Sequence, residues 1–313
     1  MKAAVYRQND DMPDQTGRTV LVTGANSGLG LRTAEGLARR GAKVLMGCRN
    51  AEKAAVASEA VDRVASGPPP EVVALDLSDL DAVAECAAKV QASVDRLDVL
   101  VNNAGVAALP LRRTPQGHEM QFGTNHLGHF AFTGRLLPVL LRSERPRVVT
   151  VSSQGHRPGR IRWDDPDWRS GRYMKWPAYF QSKLANLLFT SELARRAADA
   201  GSSLIAAAAH PGYASTHLSA AGPEMAGNKL MLRVAKLSDR LLGQSDEQGA
   251  LPQLYAATMP DVQPNDYFGP DGLFEQRGWP ERVGRTSRAA NADDAARLWS
   301  KSEEMTGVTY EWS

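Results

Sequence analysis

Cysteine is nearly missing from this chain. Cys48 and Cys86 are the only two in 313 residues, too few for a disulfide scaffold or a cysteine-rich zinc site, and in keeping with a reducing cytoplasm. Long hydrophobic runs are missing too. No stretch approaches the roughly 18 apolar residues of a membrane span, and Met1 to Arg18 is polar, without an apolar signal core. The expectation is a soluble cytoplasmic protein with no integral membrane segment, peripheral contact with a membrane staying open. Nor does either charge dominate: 37 Lys and Arg face 35 Asp and Glu, net +2, which excludes the basic footprint of a nucleic-acid partner.

Some reactive patterns are lacking as well. No Lys-Ser or Lys-Thr pair follows Gly30, which removes Walker-type phosphate binding. Val151 stands where the first glycine of a Gly-x-Ser-x-Gly elbow belongs, so Ser153 with nearby His156 does not read as a hydrolase pair. His126 and His129 lie three apart without a third histidine or a carboxylate beside them, so packing and hydrogen bonding fit them better than a metal, and no metal site is expected.

What is present is an alternation of short apolar runs and helical stretches. Val20–Val22, Lys43–Gly47, Val72–Leu75, Asp98–Val101, Arg147–Val151, Leu204–Ala209 and Tyr267–Pro270 read as strands. Between them, Leu31–Arg40, Ala51–Ser66, Leu80–Val94, Phe122–Leu141, Ala178–Ala200 and Gln248–Met259 read as helices, with a last one near Asp293–Glu303. Apolar content of 42% supplies a sizeable core. Strict alternation without a linker implies an α/β fold: a single doubly wound Rossmann-type domain, a parallel sheet of about seven strands with helices on both faces. Ligands in such sheets bind beyond the carboxyl ends of the strands. The polar clusters Gly24–Gly30, Arg49, Asp76, Asn102–Gly105, Ser153 and His210–Gly212 all fall there.

The first strand runs through Thr23-Gly24-Ala25-Asn26-Ser27-Gly28-Leu29-Gly30 into a helix closed by Gly41. Such a turn aims free N–H groups and the positive end of the helix dipole at one spot, which suits a pyrophosphate. Its spacing, Gly24-x-x-x-Gly28-x-Gly30, differs from Gly-x-Gly-x-x-Gly. The second strand ends Gly47-Cys48-Arg49-Asn50 without the acid that would hold the ribose hydroxyls of NAD. Arg49 suits the 2′-phosphate of NADP instead. Asp76 reads either as a contact to the adenine edge or as a cap for the following helix. Asn103, Ala104 and Gly105 read as backbone contacts near the adenosine ribose, or as a plain turn.

Tyr179-Phe180-Gln181-Ser182-Lys183 places a phenol and an ammonium on one helix face. A nearby cation favours the phenolate, so Lys183 is expected to lower the Tyr179 pKa and let the phenol act as acid or base on a carbonyl or alcohol oxygen. Ser153 could bond the same oxygen. Asn125 could hold a water beside Lys183.

In order along the chain, Thr23-Gly24-x-x-x-Gly28-x-Gly30, Asn102-Asn103-Ala104-Gly105, Asn125, Ser153, Tyr179-x-x-Ser182-Lys183 and Pro211-Gly212 resemble the short-chain dehydrogenase/reductase family over about Gly17–Gly212. Gly24-Ala25-Asn26-Ser27-Gly28, Asn125-His126-Leu127-Gly128-His129-Phe130 and Ser182-Lys183-Leu184-Ala185-Asn186 look like its retinol-dehydrogenase-like branch. The resemblance implies a catalytic tetrad of Asn125, Ser153, Tyr179 and Lys183. Tyr179 would be the general acid/base and Ser153 the oxygen anchor. Lys183 would bind the nicotinamide ribose, and Asn125 would hold the relay water. It further implies a dinucleotide held by Gly24, Asn26, Ser27, Gly28, Leu29 and Gly30. Asp76 with Leu77, Asn103–Gly105, Tyr179, Lys183, and Pro211 and Gly212 with Ala214 and Thr216 would complete the contacts. Arg49 matches the basic position of members that use NADP, so NADP(H) is the preferred cofactor and NAD(H) a possible one.

Two segments depart from the family's usual pattern. Gln154–Ala178 is about twice the usual length and carries Trp163, Trp168, Tyr173 and Trp176; it fits a flap over the substrate or a surface excursion pinned by its own aromatics. Thr216–Leu242 has an apolar helical face and fits a lid or an ordinary packing helix. Residues 154–178 and 216–242 are thus the candidate substrate-shaping segments, and 270–313 a C-terminal extension. The sum is an NADP(H)-dependent oxidoreductase for a small apolar alcohol, ketone or aldehyde, working as a monomer or homo-oligomer. The alternative is a catalytically silent dinucleotide sensor or scaffold on the same fold.

Overall fold

The computed structural model describes residues 11–212 and 244–312. Its centre is β1 (Thr19–Thr23), flanked by β2 (Lys43–Cys48) and β4 (Val99–Asn102). The sheet runs outward on one side to β3 (Glu71–Ala74). On the other it runs through β5 (Arg147–Val151), β6 (Ile205–Ala209) and β7 (Tyr267–Pro270) to β8 (Pro280–Arg282). The order β3-β2-β1-β4-β5-β6-β7-β8 reverses direction between β1 and β4, which opens a crevice at their carboxyl ends. The first seven strands are parallel, as the sequence predicts. The eighth is antiparallel to β7 and pairs over Pro280–Arg282; three residues, one of them proline, carry no readable strand pattern.

Period-two alternation in the strands divides the core. Val20, Val22, Val44, Met46, Val99 and Val101 face α1 (Gly28–Arg39), α2 (Ala51–Asp62) and α6 (Asp246–Thr258). Leu21, Leu45, Leu100 and Val148 face α3 (Leu80–Ser93), α4 (Gly128–Leu140) and α5 (Lys175–Asp199). With both faces covered, each fully buried aliphatic side chain contributes about 1.5–3 kcal/mol.

Helix ends follow local chemistry. Gly41 takes φ 90° just past α1, and Ala42 N–H returns to the Leu37 carbonyl. Helix α2 stops at Asp62, short of the expected Ser66. Ser66 instead bonds Ala38 and Arg39 carbonyls, satisfying the open end of α1. Helix α5 begins at Lys175, ahead of the expected Ala178. Pro177 sits in its first turn, where a missing N–H costs nothing.

The C-terminal extension packs onto the helices that carry the site. Helix α7 (Ala292–Thr306) and the residues after it bring Trp299 and Tyr310 against Phe130, each with ring centroids 5.0 Å away. The Tyr310 hydroxyl donates to the Phe130 carbonyl at 2.7 Å. Among the described residues no helix is long and apolar enough to cross a membrane.

Candidate active site

The glycine turn after β1 has the shape that a phosphate cradle needs. Gly24 and Gly28 hold φ of 68° and 52°, where side chains other than glycine's are strained. A Cβ on Gly30 would lie 2.3 Å from the Gly24 carbonyl oxygen, so only glycine lets α1 start this close to the turn. A Cβ on Gly28 would meet only Asp246 Oδ2, at 3.9 Å, among the described residues. Ser27 N-caps α1 without a side-chain bond, and the first turn holds no acidic residue. Neither the Ser27 side chain nor a first-turn acid thus takes up the leading N–H groups of α1, an arrangement that suits an anion. These features fit a dinucleotide pyrophosphate.

Thr23 connects this turn to the end of β4. Its hydroxyl oxygen accepts from the backbone N–H groups of Asn103 at 2.9 Å and Ala104 at 3.0 Å. The Asn103 amide donates to the Thr23 carbonyl at 2.8 Å. At the ends of the next strands, Asn50 N-caps α2 and leaves Arg49 largely exposed, Nη1 3.9 Å from Asp76 Oδ2. The other Asp76 oxygen accepts from Ser78 N–H and Oγ, at 2.9 and 2.6 Å. The cap of α3 is Asp79, not Asp76. A Cβ on Gly128 would lie 2.2 Å from the Leu77 carbonyl, which fixes Leu77 against the start of α4.

Asn125 lies in a π-helical segment, Gly123–Leu127, that leads into α4. The predicted long helix is thus interrupted by a wide turn of the kind found at functional sites. The bulge brings the fully buried Asn125 amide against Val106 on the far side of the β4 turn. Oδ1 accepts from Val106 N–H at 2.7 Å, and Nδ2 donates to the Val106 carbonyl at 2.8 Å and to Ser182 Oγ at 2.9 Å. Val106 and Ser182 were not legible as its partners, because their bonds form only once the bulge exists.

Lys183 and Ser153 meet Tyr179 at the end of β5. The buried Lys183 ammonium donates to the Val151 carbonyl at 3.0 Å, and Asn186 Nδ2 donates to the same oxygen at 3.1 Å. Ser152 Oγ donates back to the Lys183 carbonyl at 2.8 Å. These three bonds seat α5 on β5. Lys183 Nζ stands 5.9 Å from the Tyr179 ring centroid, and the Ser153 side chain is near enough to the Tyr179 phenol to favour its ionised form. A Cβ on Gly105 would be 3.2 Å from Asn125 Oδ1 and 3.5 Å from Lys183 Nζ, so these two groups of the expected tetrad lie together beside the turn after β4. Burial pulls Lys183 down to about 8. Burial also raises the Tyr179 phenol, with the Ser153 side chain working against it. This differs from the expected lowering by Lys183: burial is the leading influence on the phenol, and Ser153 is the group that opposes it.

Residues 154–178 are pinned, not loose. Asp167 accepts from Glu119 N–H at 3.0 Å and pairs with His118 at 3.2 Å. The Tyr173 hydroxyl donates to the buried Glu119 at 2.9 Å. Arg162 covers the buried Trp168 ring at 4.3 Å. Farther along, His210, Pro211 and Gly212 follow β6. Ala214, Thr216 and the segment 216–242 lie outside the described residues. Each of the two tempting histidines has a partner: His126 Nε2 is 2.8 Å from Ser302 Oγ, and His129 bonds Thr23 and the Asn125 carbonyl.

The family profile described as short chain dehydrogenase matches residues 18–165. Human retinol dehydrogenase 13 is 38% identical over 302 residues, covering 93% of this chain and 85% of that protein. The chain belongs to the short-chain dehydrogenase/reductase family. Within it, this short-chain dehydrogenase falls in the retinol-dehydrogenase-like branch: mouse retinol dehydrogenase 12 is likewise 38% identical, over 94% of this chain and 88% of that one. Membership makes it an oxidoreductase acting on CH–OH groups with a nicotinamide dinucleotide. The crystal structure of an uncharacterized protein from Mycobacterium paratuberculosis is 44% identical, covering 97% of this chain and 99% of its own, with a TM-score of 0.79. A short chain dehydrogenase from Escherichia coli CFT073, solved with NADPH, shares the fold at 24% identity, over 81% of this chain and 96% of its own, with a TM-score of 0.61.

Proposed function

We propose that this dehydrogenase interconverts an apolar alcohol and its ketone or aldehyde with NADP(H), using Tyr179 as general acid/base. The observation that supports the reading is a set of pairwise approaches: Lys183 Nζ stands 5.9 Å from the Tyr179 ring, Ser153 acts on the Tyr179 phenol, and Asn125 Oδ1 and Lys183 Nζ both lie beside Gly105. When bound, the nicotinamide ring supplies or takes up the hydride. In the direction of reduction, the Tyr179 hydroxyl gives its proton to the substrate oxygen as negative charge gathers there. The Ser153 hydroxyl donates a second hydrogen bond to that oxygen and so stabilises the charge that gathers there. Lys183, held near 8, exchanges protons close to neutral pH and so supports return of a proton to the phenol. Asn125, clamped between Val106 and Ser182, keeps the wall beside Lys183 rigid. A silent sensor would need no such set of four.

Arg49 supports NADP over NAD: it stands at the tip of β2 with its guanidinium largely exposed. The substrate class is read from the rim, where Trp176 packs edge-on to Tyr179 with ring centroids 6.1 Å apart and is itself half exposed, beside the exposed Met174. Segment 154–178, fixed by Asp167 and Tyr173, would form one side of the substrate opening. Two free, buried cysteines support a reducing, cytoplasmic setting. The test is NADPH oxidation against a carbonyl panel graded in polarity. Turnover that rises with apolar character is expected; activity confined to charged or sugar-like carbonyls would overturn the substrate class.

A further inference from the structure

Glu275 makes contacts that neither the glycine turn nor the tetrad requires. It lies in the connection between β7 and β8, directly after Phe274, and the two residues hold φ of 55° and 53°. Consecutive left-handed residues other than glycine are costly and persist only where surrounding bonds enforce them. Here those bonds converge on the carboxylate. Oε2 accepts from Gln154 Nε2 at 2.9 Å and lies 3.1 Å from His210 Nε2, while Oε1 accepts from Arg157 Nη2 at 2.7 Å.

The His210 ring is fully buried, and its Nδ1 accepts from the Gly212 backbone N–H at 3.2 Å. The proton therefore sits on Nε2, which donates it to Glu275. One carboxylate thus links the turn after β5, through Gln154 and Arg157, to the turn after β6, through His210. Two glycines make room for the link. A Cβ on Gly212 would lie 2.5 Å from the Gln276 carbonyl oxygen, and one on Gly269 would lie 2.0 Å from His210 Nε2. Gly212 itself holds φ 66°. The Pro211–Gly212 turn is consequently shaped against the Glu275 segment, not merely near it. The hydrogen bond from His210, helped by Arg157, holds the Glu275 carboxyl down to about 2, so the clasp stays charged at neutral pH.

The geometry points to Glu275 as a positioning residue that locks the Pro211–Gly212 turn to the turn carrying Ser153, and so sets the nicotinamide end of the cofactor cleft against the Ser153–Tyr179 pair. This rests on the dinucleotide reading above. The two ends of a dinucleotide separate the lock from general damage. NADPH reaches both the glycine turn and the Pro211–Gly212 turn, whereas adenosine 2′,5′-bisphosphate reaches only the adenosine end. Titration of the whole chain with each ligand, wild type against E275A, reads the difference. NADPH affinity is expected to fall about tenfold, with kcat falling alongside it, while the bisphosphate binds as before. Should E275A not fold, E275D, which withdraws the carboxylate by one methylene, carries the same comparison. Equal weakening of both ligands, or no change in either, overturns the lock. Wild-type protein that binds neither ligand overturns the dinucleotide reading and the lock with it.

Discussion

The buried imidazole of His129 bridges the turn after β1 to the backbone of Asn125: Nδ1 lies 3.0 Å from the Asn125 carbonyl and Nε2 lies 2.9 Å from Thr23 Oγ1. A carbonyl can only accept, so Nδ1 carries the proton and Nε2 accepts from the threonine hydroxyl. Thr23 in turn takes the N–H groups of Asn103 and Ala104. A single row of hydrogen bonds therefore runs from the cofactor cleft to the π-helical bulge.

Replacing His129 with Ala should remove one hydrogen bond from the Asn125 carbonyl and one from the Thr23 hydroxyl, which keeps the Asn103 and Ala104 N–H groups, at about 0.5–1.5 kcal/mol of stability each, and should lower kcat more than it raises KM. Denaturant unfolding with steady-state kinetics checks both. There is also an acid signature. Burial holds His129 at about 4 against an ordinary 6.5. The unfolded chain therefore binds the extra proton between those values, and stability is lost as pH falls from 6.5 towards 4. The variant should show a shallower loss across that window.

Lys183 gives the opposite end of the pH scale. Its folded value near 8 lies below the unfolded 10.5, so between these values the unfolded chain holds more protons. Stability contributed by this group therefore rises with pH through that window. The prediction is that Lys183→Met, which fills similar space without a charge, removes this rise and is at least as stable as wild type at pH 7. Thermal unfolding across pH 7–10 measures it, and an identical pH profile in both proteins would contradict the buried charge.

Arg49 should separate the two cofactors. Loss of a charge-assisted contact to the 2′-phosphate corresponds to roughly 1.5–3 kcal/mol, or about ten- to a hundredfold in affinity. Arg49→Ala is expected to weaken NADPH by that factor and to leave NADH nearly unchanged. Release of the guanidinium from Asp76, 3.9 Å away, is a small term between two partly exposed groups. Calorimetric titration with both cofactors decides it; an unchanged preference would remove the phosphate contact.

Much of this arrangement was legible from local pattern. Buried parallel strands announce themselves as apolar runs, and glycines at positive φ mark the cofactor turn, so β1 to β7 and Gly24–Gly30 could be read directly. Features that depend on tertiary contact could not. The π-helical bulge at Gly123–Leu127 carries only Gly123 as a local sign, and its bonds from Asn125 to Val106 and Ser182 are made across the fold. Glu275 and His210 are 65 residues apart in sequence, and nothing near either one signals the other. The Tyr179 phenol was misread for a similar reason: the spacing to Lys183 is visible in sequence, but the desolvation that raises its pKa is a property of the packed site.

The most direct test of the central claim is single-turnover hydride transfer by wild type and Tyr179→Phe, with NADPH and an apolar ketone or aldehyde that the panel identifies. Phe keeps the ring and removes only the proton at issue. Unchanged NADPH affinity with a transfer rate lower by about 10²–10⁴ is predicted; equal rates in the two proteins would contradict the assignment of Tyr179 as the acid.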